Sequence, residues 1–516
     1  MRALVRLVAI VALTFAIGSA ATMIAAPSNE APFLAKEATN SGYIGGPYPA
    51  MPDTGFGAAH MEMINPSQWF TGMAEHYNDS LLHESALMER DASISWNRFE
   101  FAWSTIQPTP TTWDWSDLDA YMNWSDNYGL KILPVVAYGT PWACKDGDYL
   151  QKIVNMTAWQ TYVHEVVIRY KDRPSFGGWW ELWNEPNIYP FFHGDFITDF
   201  VPAMVVAAQE IRSIDPSQKI LTCSLTGNMA QDLAAMVDAI GKPTFVTLFD
   251  GVAIHPYADT PDEMAQKILE CQEVLEGWYH GELWITEVGW AVNPAVKGAA
   301  ADYNKAQYIA KTLIVSKGLG VTHTIVHMWC DWGNIVGGVK VQNRTYGEHW
   351  YGIVDVKANP KPSYFSFKTV ANLLGQAANL GVLAVEGLNV GHEIYAYAFK
   401  QADGTAVIPI WTPSSTKVHV GLGFPGMANY TVVDAYNRVV DSGTAESVHV
   451  PISDKLTIII ISPLSGQPTS LDDFTLTCDF DSNAVMAVIF LPGLVIVTVA
   501  FTVKGFKERE RNTTVR

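Results

Sequence analysis

From about Asp53 to Leu374 the sequence alternates eight short apolar segments with amphipathic segments, and this alternation limits the fold more than any other feature. Short apolar runs are typical of buried parallel strands, and helical periodicity between them indicates crossover helices. Eight such units close into a (β/α)8 barrel. An open doubly wound sheet is the alternative, which is disfavoured because no glycine-rich phosphate loop follows the first strand. The predicted fold class is therefore α/β, a TIM barrel.

Eight strands are predicted. They are Gly55–His60, Ser93–Phe99, Lys131–Ala137, Gly178–Trp183, Lys219–Cys223, Asp250–His255, Glu282–Thr286 and Thr324–Met328. Helices are predicted between several of them. These are Trp115–Tyr128, Thr157–Tyr170, Thr198–Ser213, Pro261–Tyr279, Ala301–Lys317 and, as the last barrel helix, Pro360–Leu374.

Beyond the barrel the sequence pattern changes. Short apolar runs are separated by Gly, Pro, Asn and Asp, a pattern typical of a small antiparallel β-sandwich. A polar stretch follows and reads as a stalk. The next segment, Ala484–Val503, carries no charge and is followed by Lys and Arg, which predicts a transmembrane helix with a cytoplasmic C-terminus.

At the N-terminus, Arg2 and Arg6 precede an uncharged run with small residues, which predicts a secretory signal peptide. An uncleaved signal anchor is the alternative, because the run is longer than usual. The predicted organisation is a signal peptide (1–26), an irregular lead-in (27–50), the barrel (51–378), the sandwich (379–463), the stalk (464–483), the membrane helix (484–503) and the tail (504–516).

The net charge of −19 argues against nucleic acid as a partner, because nucleic-acid binding needs a basic surface. The 18 Trp and 21 Tyr are unusually many. Large aromatic side chains either fill a core or stack on flat apolar ligand faces such as sugar rings, and composition leaves both open. The sequence shows no His, Cys, Asp or Glu cluster with metal-ligand spacing, so we expect neither a metal nor another cofactor.

Two glutamates follow predicted strands four and seven. Glu185 ends the run Trp179 to Glu185 and stands before Pro186, and Glu287 ends the run Leu283 to Glu287. Because the carboxyl ends of barrel strands converge on one mouth, these side chains are expected to face each other. A pair of carboxyl groups is what hydrolysis of a glycosidic bond requires, one as acid and one as nucleophile or base.

The motifs Trp183-Asn184-Glu185-Pro186 and Ile285-Thr286-Glu287 resemble those of clan A of the glycoside hydrolases, retaining enzymes built on (β/α)8 barrels. The resemblance extends to Arg98, to His255 and Tyr257, and to Trp329. It implies that Glu185 is the acid/base, Glu287 the nucleophile and Asn184 a donor to the substrate 2-hydroxyl. The segment Tyr138-Gly139-Thr140-Pro141-Trp142 replaces the strand-three histidine of family 5 cellulases, so the chain looks closer to family 39.

The remaining candidates are predicted to bind substrate. Tyr138 belongs to this group, and the aromatic residues expected in loops at the mouth are candidates for sugar stacking: Trp142, Trp290, Trp329 and Trp332. Trp179, Trp180 and Trp284 lie within strands and are expected in the core. Each of two residues keeps a structural alternative. Arg98 would only close a salt bridge at the barrel end, and His255 would only orient its neighbours.

The sequence therefore predicts a retaining glycosidase that cleaves β-linked poly- or oligosaccharides at the cell surface, with a single membrane anchor. A non-catalytic carbohydrate-binding surface protein is one alternative, and a transglycosylase acting on surface glycans is another. Sugar identity, linkage and oligomeric state do not follow from the sequence.

Overall fold

The computed structural model describes residues 47–59, 79–293, 297–331, 335–336, 339–340, 350–355, 357–384, 394–413, 415, 417–463, 473–479, 489–491 and 494–496. Trp332, the predicted signal peptide and the predicted cytoplasmic tail lie outside the described residues.

Eight parallel strands form a closed barrel in chain order, which confirms the predicted TIM barrel. They are β1 (Phe56–Ala59), β2 (Trp96–Ala102), β3 (Lys131–Ala137), β4 (Trp179–Leu182), β5 (Lys219–Leu225), β6 (Gly251–Ile254), β7 (Glu282–Val288) and β8 (His323–Val326). The barrel closes where β1 pairs with β8, with Gly57 opposite Ile325. Each predicted strand overlaps an observed one, because buried parallel strands are almost continuously apolar.

The α-helices of the barrel unit are α1 (Asp79–Asp91), α2 (Trp103–Ile106), α3 (Ser116–Tyr128), α4 (Met156–Tyr170), α5 (Val201–Ile214), α6 (Met229–Ile240), α7 (Lys242–Leu248), α8 (Pro261–Leu275), α9 (Ala299–Gly318) and α10 (Pro362–Leu374). A 3₁₀ turn (Lys145–Gly147) and a π-helical turn (Phe196–Phe200) are also present. The boundaries have local causes: the Thr260 hydroxyl accepts from the Glu263 amide at the start of α8, with Pro261 as its first residue. Gly129 ends α3 at φ 63°.

The barrel interior holds an apolar floor, a cluster of buried side chains drawn from every strand. Its members are Ala59, Trp96, Leu133, Trp179, Leu221, Ala253, Trp284, Ile325 and Met328. The Trp284 ring lies 5.1 Å from that of Trp96 and 5.0 Å from that of Trp179. Such interdigitated layers make a barrel interior a packed core instead of a pore. Trp179, Trp180 and Trp284 are buried, as predicted.

Below the floor, at the amino ends of the strands, charged groups meet around His323. Asp53 accepts from Lys131 Nζ at 2.7 Å and from Trp96 Nε1 at 2.8 Å. Glu282 accepts from Trp284 Nε1 at 2.8 Å, and the His323 ring stacks on Trp284 at 3.6 Å. His323 Nε2 lies 3.5 Å from Asp53 Oδ1, and His323 Nδ1 lies 3.5 Å from Glu282 Oε2. Both distances are longer than a direct hydrogen bond.

This arrangement predicts a loss of stability in acid. Burial raises the pKa of Asp53 and of Glu282, but the nearby His323 imidazole and the hydrogen-bond donors outweigh it and leave both pKa values below their ordinary values. A depressed carboxyl pKa contributes stability that is full above about pH 5 and is lost as pH falls through about 4 toward the folded pKa. We expect Asp53→Asn with Glu282→Gln to flatten the fall in unfolding free energy between pH 6 and pH 3, measured by denaturant titration. The exposed pair Asp172→Asn and Glu276→Gln is the control, and an unchanged slope in the first variant would contradict the prediction.

The C-terminal part is an antiparallel seven-stranded sheet, in agreement with the predicted all-β unit. Its strands are β11 (Ala378–Ala384), β12 (Tyr395–Lys400), β13 (Ala406–Trp411), β14 (Val418–Asp434), β15 (Val439–Ile452), β16 (Thr457–Pro463) and β17 (Thr475–Asp479). The first part of β14, up to Gly423, pairs with β15 and β17. After an irregularity between Gly423 and Ala428, the second part pairs with β15 and β16. Its two halves thus belong to two layers around a second apolar core, the arrangement of a β-sandwich.

The structure corrects one prediction about the C-terminal region. β17 lies within the predicted stalk: Phe474 is buried and Leu476 packs on the sandwich core, so the alternating sequence there forms a strand. The predicted membrane helix 484–503 lies mostly outside the described residues and stays a prediction; the six described residues of this range form paired strands β18 (Ile489–Leu491) and β19 (Leu494–Ile496). Among the described residues, no helix has both the length and the apolar character needed to cross a membrane.

Outside the barrel and sandwich, β9 (Ile335–Val336) pairs with β10 (Val339–Lys340).

Helix α9 joins the barrel to the sandwich and is buried on nearly all sides. Lys311 Nζ donates to the Asp454 carbonyl at 3.0 Å, and the Leu456 amide donates to Gln307 Oε1 at 2.8 Å. A side chain at Gly318 would place its Cβ 2.2 Å from the Tyr397 ring, so only glycine allows this approach. The sandwich is therefore packed directly on the barrel.

Candidate active site

The inward-facing positions change from apolar to polar at the carboxyl ends of the strands. Side chains of a strand return to the same face every second residue. Two residues after members of the apolar floor stand Arg98, Glu181, His255, Thr286 and His327, each of them buried. We call these five residues the polar layer. The two glutamates singled out in the sequence, Glu185 and Glu287, lie against it.

Glu185 follows a sharp turn at the end of β4. Trp183 and Glu185 have φ of 79° and 44°, values that residues with a side chain rarely adopt. Strain of this kind costs about 1–3 kcal/mol per residue and concentrates at functional sites. The Trp183 ring anchors the turn by packing on Tyr138 and Phe200, with ring centroids 5.4 Å away in each case. As a result, the Glu185 carboxyl is only 6% exposed and lies 2.7 Å from His255 Nδ1.

Glu287 lies near the end of β7 and is surrounded by donors. Arg98 Nη1 donates to Oε1 at 2.5 Å, and the Tyr257 hydroxyl donates to Oε2 at 3.0 Å. His255 Nδ1 and His327 Nδ1 each lie 3.7 Å from Oε2. Burial raises the pKa of Glu287, but the neighbouring His255, His327 and Arg98 and the Tyr257 hydrogen bond outweigh it and hold the pKa well below its ordinary value. Glu287 is therefore held as a carboxylate.

Arg98 is 1% exposed and connects the two strands that carry the glutamates. Its Nε and Nη2 donate to the two oxygens of Glu181 at 2.8 and 2.9 Å, a bidentate pair. Nη2 also donates to Asn184 Oδ1 at 2.9 Å. The carboxylates raise the pKa of Arg98 against the opposing effect of burial. Arg98 thus forms the barrel salt bridge given as its structural alternative and also contacts the predicted nucleophile, while its contact with substrate stays a prediction.

The two predicted catalytic glutamates and His255 come together at the mouth. One carboxylate oxygen of Glu185, one of Glu287 and a ring nitrogen of His255 all lie within 4.8 Å of one another. Two carboxylates and an imidazole are donors that a metal ion accepts, and the sequence spacing gave no sign of this group. However, Arg98 and Tyr257 already occupy the Glu287 oxygens, and the nearby guanidinium opposes a cation.

Tyr138 belongs to the same environment. Its hydroxyl donates to Glu100 Oε1 at 2.8 Å, and its ring meets Trp183 edge to face. Burial raises the pKa of Glu100, opposed by the Tyr138 hydrogen bond and by the charge of Arg98. Trp142 and Trp290 are partly exposed in the loops after β3 and β7. Their stacking role, like the substrate contacts of Tyr138, stays a prediction.

The structure corrects the role predicted for Trp329. Its side chain is fully buried, its indole N–H donates to Ser85 Oγ at 2.6 Å, and its ring packs against Tyr364. Ser85 lies on α1 and Tyr364 on α10, so the ring is enclosed in the helix layer. It is not available to stack on a sugar in this structure.

Sequence reasoning missed several residues of the site: Glu181, His327, Thr286 as a hydrogen-bonding group, and Tyr351, whose ring lies 5.0 Å from His327 and 6.1 Å from Tyr257. Glu181 had a usable signal, because a charged residue inside an otherwise apolar strand must be paired once it is buried. His327 also had one, since it lies two residues beyond an inward-facing position of β8. No periodicity in the sequence indicates Tyr351.

Solved structures that are similar to this chain include glycoside hydrolases. A family 39 glycoside hydrolase from Bacteroides cellulosilyticus WH2 is similar with a TM-score of 0.60 and 18% identity, over 80% of this chain and 81% of that one. A family 39 β-xylosidase from Caulobacter crescentus has a TM-score of 0.53 and 15% identity, over 81% and 98% of the two chains. A family 30 xylanase C catalytic domain from Talaromyces cellulolyticus has a TM-score of 0.53 and 12% identity, over 81% and 98%.

The fold is that of family 39 and family 30 glycoside hydrolases. It agrees with the resemblance to clan A that the sequence motifs carry. No protein-family model matches the sequence, and no curated protein matches it. The likeness therefore lies in the backbone of the barrel and the sheet beside it, and identity is low throughout.

Proposed function

We propose that this chain is a retaining glycoside hydrolase that cleaves O-glycosidic bonds of β-linked poly- or oligosaccharides. The observation that carries the proposal is the facing pair Glu185 and Glu287, with ligand-type oxygens within 4.8 Å of each other. Retaining glycosidases separate their carboxyl groups by about 5–5.5 Å, whereas inverting enzymes leave about 6.5–9.5 Å for a water molecule. The short gap favours direct attack by a carboxylate.

In the first step Glu287 attacks the anomeric carbon. A bond forms between a Glu287 carboxylate oxygen and that carbon while the glycosidic C–O bond breaks, and its electron pair goes to the leaving oxygen. Glu185 gives its proton to that oxygen. The lowered pKa of Glu287 supports the role of nucleophile, because the ionised carboxylate is the form that attacks.

Asn184 is oriented for the sugar hydroxyl beside the reacting carbon. Its Oδ1 accepts from Arg98 Nη2, and Arg98 can only donate, so the amide Nδ2 is the end that remains for another partner. A donor at this point suits the substrate 2-hydroxyl, where hydrogen bonds strengthen in the transition state. In the second step Glu185 takes a proton from water, the water oxygen bonds to the anomeric carbon, and the Glu287 carboxylate leaves.

Two alternatives remain distinct from hydrolysis. A carbohydrate-binding protein without activity has no need for an ionised, fully hydrogen-bonded Glu287 facing a second glutamate, so the intact pair argues against it. A transglycosylase uses the same first step and differs only in whether water or a sugar hydroxyl accepts the glycosyl group.

The stereochemical outcome tests the proposal. β-Xylosides are the first substrates of a glycan panel, because two similar structures are named β-xylosidase and xylanase. With an active substrate, proton NMR during the first minutes should show the β anomer before mutarotation, as expected for retention. Initial release of the α anomer would contradict the double displacement, and products longer than the substrate would identify a transglycosylase.

We further propose that the barrel acts outside the cell and is held at the membrane. The support is in the sequence: the N-terminal run after Arg2 and Arg6 and the uncharged run 484–503 before Lys504. Fractionation of cells that express the full chain and a chain ending at residue 479 provides the check. Equal partition of both into the soluble fraction would contradict a C-terminal anchor.

A further inference from the structure

A buried chain of hydrogen bonds links the two catalytic glutamates through residues that the reaction itself does not use. It runs from Glu185 to His255 at 2.7 Å, then to Thr286 at 3.0 Å and to Glu181 at 3.1 Å. Arg98 joins Glu181 to Glu287. Glu181, His255 and Thr286 are 0% exposed, so water does not supply alternative partners to their side chains.

The direction of each hydrogen bond follows from the donors that these groups own. Glu181 is paired with a guanidinium through both oxygens, so it acts as an acceptor. The single hydrogen of the Thr286 hydroxyl is donated to Glu181 Oε1. Toward His255 Nε2 the same hydroxyl oxygen therefore offers only a lone pair. It follows that Nε2 carries a proton and donates to Thr286.

This assignment decides what faces Glu185. A neutral imidazole with its proton on Nε2 presents the Nδ1 lone pair to Glu185 Oε1. A protonated Glu185 then donates to His255, whereas an ionised one would face that lone pair across 2.7 Å. The repulsion is relieved when one proton returns to the pair, either on the carboxyl or on Nδ1. The other charged groups facing the ring or its partners are Glu287 and His327, with Tyr257 beside them.

We propose that Glu181 and Thr286 are positioning residues that fix the tautomer of His255, so that the Glu185–His255 pair holds the proton used for the leaving group. After the first step the pair has lost this proton to the departing sugar. The ionised Glu185 then faces a lone pair and is a strong base toward water, as the second step requires. The inference rests on the proposed hydrolysis for its catalytic meaning, but the tautomer itself is a property of the folded chain.

Replacing Thr286 by valine tests the role of the hydroxyl without changing side-chain shape. Without it, the His255 proton is free to move to Nδ1 and donate to an ionised Glu185, which favours the carboxylate. The basic limb of the kcat/KM pH profile is therefore expected about one pH unit lower. Thr286→Ser, which keeps the hydroxyl, should restore the wild-type limb. An unchanged limb in Thr286→Val would overturn the proposal.

A second measurement reads the tautomer without any activity. Nitrogen-15 NMR of full-length protein labelled on histidine, with His255 assigned by a His255→Asn variant, should show a protonated Nε2 in the wild type and in Thr286→Ser. In Thr286→Val the proton should appear on Nδ1. A bare Nε2 in the wild type overturns the proposal even if the valine variant does not fold. A chain with the expected tautomer but no turnover of any glycan would instead reject the proposed function alone.

Discussion

Glu287→Gly should lose activity on the order of 10⁴-fold in kcat, and sodium azide should restore part of it with a changed product. Loss of the carboxylate removes the attacking group and leaves a gap beside Arg98 and Tyr257, which contact it at 2.5 and 3.0 Å. Azide fits this gap and attacks the anomeric carbon from the face that Glu287 used. With an aryl β-glycoside, the expected product is the α-glycosyl azide.

Glu185→Gly is the matched control, because it removes a glutamate of the same site but leaves the nucleophile. Here the glycosyl-enzyme still forms from a substrate with a good leaving group, and azide attacks it from the opposite face. The expected product is the β-glycosyl azide. If the two variants gave the opposite azides, the roles of Glu185 and Glu287 would be exchanged. If neither gave an azide on an active substrate, the pair would not be catalytic. Circular dichroism should show that both variants fold.

Arg98→Gln should reduce the unfolding free energy by about 3–5 kcal/mol, since it leaves two buried carboxylates without their cation. Glu181 is 0% exposed and loses both of its guanidinium hydrogen bonds. The same change removes one of the charges that lower the pKa of Glu287, so this pKa rises and the acidic limb of the activity profile moves to higher pH. Denaturant titration and a pH profile of kcat/KM measure the two effects.

Two comparisons make the Arg98 result specific. Arg169→Gln breaks a pair with Asp119 in which both side chains are about one-third exposed or more, and should cost at most about 1 kcal/mol. Glu181→Gln added to Arg98→Gln removes one unpaired charge and should recover part of the lost stability. If Arg98→Gln alone lowered the unfolding free energy by less than about 1 kcal/mol, the protein would not be destabilised by the loss of the cation beside these carboxylates, and the prediction would be wrong.

Local sequence could predict the barrel and its two glutamates because both leave local signals. Each strand is a short apolar run, and Glu185 and Glu287 follow such runs in recognisable motifs. The apolar floor needed one further step, since strand periodicity shows which residues share a face but not which face points inward. The burial of Trp329 shows the limit: its position after β8 suggested the mouth, and only the packing of α1 and α10 places it in the core.

The hydrogen-bond network was beyond local reasoning for a different cause. Glu181 and Thr286 are 105 positions apart, and nothing in either segment states that their side chains meet. Their contact depends on the register of β4 and β7 around the closed barrel. The stalk prediction was wrong for a third reason. A polar segment with an alternating pattern can be a linker or an edge strand, and β17 is a strand because it pairs with β14, which lies far from it in the sequence.

The apolar floor beneath the polar layer also decides how protons travel. Trp96, Trp179 and Trp284 fill the interior two residues below Arg98, Glu181 and Thr286, and none of these six side chains is more than 8% exposed. Among the described residues, these packed side chains leave bulk water no route to the carboxyl groups from the amino ends of the strands. Every proton that leaves with a sugar must be replaced through the mouth, by the same opening that admits substrate. Occupancy of that opening therefore controls when Glu185 can recover its proton.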